Sequence, residues 1–62
     1  MRKFLEIAEE CLRAALDATE QGHRRAYLKL ADHCLDLADL DDHHAKTAML
    51  RAEVEALRRP AN

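Results

Sequence analysis

The chain has 62 residues, which allows one domain at most and a core too small to be secure without a staple or self-association. One glycine, one proline and two aromatics (Phe4, Tyr27) argue against a β fold, and a hydrophobic share of 48% argues against disorder. The net charge of −2 offers no general attraction to nucleic acid or anionic lipid, and no run of 18 apolar residues is present to span a membrane.

The opening MRKFLEIAEE carries charge without an apolar stretch behind it, so no signal peptide is expected and the expected location is cytoplasmic. In that compartment Cys11 and Cys34 are expected to stay as thiols. The first helix is predicted over residues 3–18. Phe4, Leu5, Ala8, Cys11, Leu12, Ala15 and Leu16 recur at helical spacing, and Ile7 widens their face. Residues 19–22 form a turn, with Thr19 as N-cap of the next helix or Gly22 as the residue just past the first. So short a connection makes the two helices antiparallel neighbours.

The second helix is predicted over residues 23–40. Its stretch AYLKLADHCLDLADL is the densest apolar run in the chain. At about 100° per residue its apolar arc is about 180° wide, more than one neighbouring helix covers. The expected seam buries Leu12, Ala31 and Leu35. It brings Leu5 near Leu35 or Leu37, Ala8 near Cys34, Leu12 near Leu30 and Ala15 near Tyr27. A further helical segment is predicted over residues 42–59, ended by Pro60. Two readings stand for its junction. The helix breaks at Asp41–Asp42, where aspartates suit a helix start, or it runs on continuously from the second helix.

The first forty residues carry two motifs. Ala8, Cys11 and Ala15 make an A-x-x-C-x-x-x-A pattern. After the turn come Arg24, Leu28, Leu30, Ala31, Leu37 and Ala38. In this the chain resembles small uncharacterised α-helical-hairpin proteins frequent in alphaproteobacteria. Cys34 stands where that pattern has a bulky aromatic, and the turn lacks its proline. The resemblance implies a helical hairpin and carries over no site.

Chemistry-bearing residues are few. Cys11, His33, Cys34 and His44 are the candidate ligands for a Cys/His metal site, but their spacing matches no structural zinc pattern. Asp32, Asp36, Asp39, Asp41 and Asp42 form an acidic strip without the glycine and terminal glutamate of an EF-hand, and read as a solvated face. His23, Arg24 and Arg25 form one basic patch; Arg51, Arg58 and Arg59 form another. Aspartates on the exposed face of the second helix would repel phosphate backbone, so no nucleic-acid partner is expected. No serine is present, so there is no Ser-His-Asp nucleophile.

The expected protein is therefore an all-α antiparallel hairpin with a third helical segment, assembling into a homo-oligomeric bundle, with a dimer favoured. Its function is expected to be non-enzymatic association with itself or a larger protein, without cofactor or membrane. The expected interface is Ile7, Leu30, Leu37, Leu50, Val54 and Leu57. The alternative is a Cys/His metal-binding or metal-responsive protein, and a weak nucleic-acid accessory stands third.

Overall fold

Three helices account for nearly all of the computed structural model, which describes residues 3–40 and 44–59. They are α1 (Phe4–Asp17), α2 (Gln21–Asp39) and α3 (His44–Arg58). No strand occurs among the described residues. None of these helices is long and apolar enough to cross a membrane.

The α1–α2 hairpin follows from the two apolar stripes. Leu5, Ala8, Cys11, Leu12 and Ala15 of α1 are buried against Leu28, Ala31, Cys34, Leu35 and Ala38 of α2. Four alanines on this seam let the backbones approach closely. Leu12, Ala31 and Leu35 are buried as expected.

The register differs at one end of the seam. Leu28 is buried, whereas Leu30 is 49% exposed and Tyr27 41% exposed. An arc of about 180° does not say which part of it meets the neighbour. The α1 contact takes the centre, Ala31 and Ala38, and leaves Leu30 outside.

The connection is built differently from the sequence expectation. Gly22 lies inside the first turn of α2, and a side chain there would meet nothing within 4 Å. Thr19 lies outside both helices, and the residue before α2 is Glu20, whose side chain makes no capping bond. Arg24 does the joining. Its Nε donates to the Ala15 carbonyl at 3.3 Å and its Nη2 to the Ala18 carbonyl at 3.2 Å. A cation on these carbonyls at the C-terminal end of α1 adds a donor beside the Ala18 N–H that Ala15 already accepts, and offsets the negative end of that helix.

α2 and α3 are separate helices, and α3 folds back along α2. The proposed break at Asp41–Asp42 lies outside the described residues, as do His43 and Pro60. Thr47, Leu50, Val54 and Leu57 of α3 follow a 3-4-3 spacing and so share one stripe. Thr47 and Val54 are each 1% exposed, and Leu50 and Leu57 pack on the hairpin core. Burying a valine of this kind contributes about 1.5–3 kcal/mol, so the stripe carries most of the docking energy.

Ion pairs set the direction and register of α3. Arg51 reaches Asp36 and, at 2.7 Å, Asp39; Arg58 lies 3.8 Å from Asp32. The acidic strip is thus not merely a solvated face: Asp32, Asp36 and Asp39 are the partners of α3. The seven-residue step from Asp32 to Asp39 matches the step from Arg51 to Arg58, as two antiparallel helices require. Exposed pairs add little energy, but they penalise a slipped or parallel arrangement.

Asp39 is the most connected of these carboxylates. The Thr47 hydroxyl donates to it, the Arg51 guanidinium donates to it, and the His44 ring lies 3.2 Å away. The Thr47 bond, with further help from the Arg51 bond and charge and the His44 bond, holds its pKa below the ordinary value against the opposing effect of burial. A folded-state pKa below the unfolded one means stability that is complete above roughly pH 4 and is lost as pH falls through the folded value. Wild type should therefore melt at nearly the same temperature from pH 7 to pH 5 and at lower temperatures below pH 4. The Asp39→Asn variant should melt below wild type at pH 7, and the gap should close in acid. A gap that stays constant down to pH 2.5 would show that this carboxylate does not hold α3.

Candidate functional site

The stripe of α3 rests on one flank of the hairpin, and that leaves the other flank bare. At about 100° per residue, Leu5, Leu12 and Leu16 of α1 lie to one side of Ala8. Leu28, Asp32, Leu35 and Asp39 lie to the matching side of Ala31. This is the flank that α3 occupies, as the Asp–Arg pairs and the cleft formed by Leu12 and Leu16 with Leu50 show. Phe4, Ile7, Cys11 and Ala14 of α1 turn the other way, and so do Tyr27, Leu30, Cys34 and Leu37 of α2. No acidic or basic side chain interrupts either row.

Exposure along this second flank is graded. Phe4, Tyr27 and Leu30 are exposed, Ile7, Ala14 and Leu37 are half-buried, and Cys11 and Cys34 form a floor at 8% and 6% exposure. The six expected interface residues therefore divide. Ile7, Leu30 and Leu37 stand on the uncovered flank. Leu50, Val54 and Leu57 do not join them, because the fold-back turns their stripe onto the chain's own core.

Both thiols are buried in the α1–α2 seam, one from each helix. Burial pushes the Cys11 thiol pKa up, with a further push from Cys34, and burial pushes Cys34 up as well. Both are free thiols. Neutral, shielded sulfurs are weak nucleophiles and behave as small apolar core groups. His33 is exposed on α2, and His44 is held by Asp39. Among the described residues no three His, Cys, Asp or Glu side chains are brought together as a metal site would need, so Cys11, His33, Cys34 and His44 do not converge.

Replacing both cysteines by alanine should keep the helical spectrum and the mass in solution, at about 1 kcal/mol per site. Circular dichroism and elemental analysis check this. Loss of a bound metal, or unfolding of wild type by a chelator, would restore the metal-binding alternative.

Three features escaped the reading of the sequence: the Arg24 clamp, the pairing of the acidic strip with Arg51 and Arg58, and the approach of Arg24 and Arg25 to Arg58 and Arg59 at one end of the molecule. Arg24 and Arg25 of α2 face Arg58 and Arg59 of α3 across an open groove, which Lys29 also lines. The matched seven-residue steps were a usable signal for the second; nothing local signals the others.

No protein-family model, curated protein or solved structure matches the chain.

Proposed function

We propose that this chain is a non-enzymatic helical association module of the cytoplasm, and that the partner on its uncovered flank is a second copy of itself. The observation that carries this reading is the uncovered flank itself: Phe4, Tyr27 and Leu30 are exposed beside half-buried Ile7, Ala14 and Leu37, and no charged side chain lies within either row. Two copies stacked through the Ile7, Leu30 and Leu37 flank would bury it in a four-helix core, with each α3 on the outside.

A second copy suits this surface for two further reasons. The flank has no charge within it, so two chains of net charge −2 meet there without like charges in contact. A two-fold axis lets one patch pair with itself, the commonest way for soluble proteins to assemble. Free thiols at its floor fit a reducing compartment and become more shielded on pairing. Light scattering at tens of micromolar protein tests the reading. The expected mass is that of two chains. The mass of one chain would pass the flank to a different protein partner.

A further inference from the structure

At the end of the molecule away from the Asp39 cluster, the start of α2 and the end of α3 diverge into an open groove of about 980 Å³. Its size is at the upper end of the range of about 300–1,000 Å³ seen for small-molecule sites. Leu28, Ala56 and Leu57 give it an apolar floor, and Arg24, Arg25, Lys29, Arg58 and Arg59 surround it. Among the described residues no aspartate or glutamate lines it. In a chain with more acids than bases, this is a local reversal of charge.

The five cations are not equally available. Arg24 is committed to the carbonyls ending α1, and Arg58 to Glu55 and Asp32. Arg25, Lys29 and Arg59 form no ion pair among the described residues. Three like charges around an apolar floor repel one another, and an anion removes that repulsion. The first turn of α2 opens here without a side-chain cap, which adds a positive helix end to the same field.

We infer that this groove binds a small organic phosphate. The phosphoryl oxygens accept hydrogen bonds from Arg25, Lys29 and Arg59, and the organic portion lies over Leu28 and Leu57. A guanidinium matches two phosphate oxygens at once, which a bare point charge does not. The floor explains why an organic ester is preferred to the free ion: an apolar group of the ligand leaves water as it binds. The site is on the flank opposite the proposed association surface, so it stands or falls independently of that reading.

The test is a titration of the full chain with phenyl phosphate and, separately, with inorganic phosphate. Binding is followed by amide chemical shifts and repeated at low and at 150 mM salt. Phenyl phosphate is expected to saturate one site per chain, to shift the amides of Leu28 and Leu57, and to bind about tenfold more tightly than inorganic phosphate. Arg25→Gln and Arg59→Gln remove exposed side chains and should leave the melting curve unchanged. Each should weaken binding by about tenfold or more. Arg13→Gln, which removes a cation elsewhere on the surface, should change nothing. Absence of saturation, or equal weakening by Arg13→Gln, would overturn the inference and leave only diffuse attraction of anions to surface charge.

Discussion

Leu35→Ala is expected to lower the stability of the chain by about 2–5 kcal/mol. Leu35 is wholly buried in the core that α2 shares with α1 and with Val54 of α3. Its removal leaves a cavity in a layer with little else to collapse into it. A chain of 62 residues has about 3–9 kcal/mol of stability in all. The loss is therefore a large share of the total. In a domain this small each kcal/mol moves the melting temperature by about 4–8 °C. A fall of about 8 °C or more, or no cooperative transition at all, should be seen by circular dichroism at 222 nm. An unchanged melting curve would mean that α2 does not hold the core at this residue. Leu30→Ala is the comparison: the side chain is half exposed in one chain, so a monomer should lose much less.

The contrast between Leu35 and Leu30 also shows how far the sequence carries the fold. Helical spacing identified both as members of one apolar arc, and the helices follow it to within a residue or two of the expected ends. Spacing within one helix does not say how that arc is shared between neighbours. The sharing depends on where the chain turns next. Once α3 folds back, Asp32 and Asp39 must face Arg58 and Arg51, and the direction of Leu28 and Leu35 follows. Leu30 and Leu37 are then left on the far side. Val54 illustrates the same point from α3. On a continuous helix its stripe would have been bare, whereas on a returning helix it enters the core. The groove was less legible still. Arg24 and Arg25 are separated from Arg58 and Arg59 by most of α2 and α3, and only the return of the chain brings these four into one groove, while Arg51 goes to Asp36 and Asp39.

Leu30→Glu is expected to convert the proposed dimer into a monomer. Because Leu30 is half exposed within one chain, a glutamate there can keep its carboxylate in water as long as the flank is bare. Pairing removes that choice. A two-fold axis buries the new charge twice, once from each copy, and each burial costs several kcal/mol after relaxation. At about 1.4 kcal/mol per tenfold, the dimer should weaken by about a thousandfold or more. Light scattering over a dilution series should then give two chains for wild type and one for the variant at tens of micromolar. Leu37→Glu should act in the same direction but with some loss of fold, since Leu37 is already half-buried in the single chain. Met49→Glu is the control, because Met49 is 67% exposed on the side of α3 turned away from the hairpin. It should leave the mass at two chains. A Leu30→Glu protein that stays dimeric would place the contact on another surface. Dissociation by Met49→Glu would point to the outer face of α3.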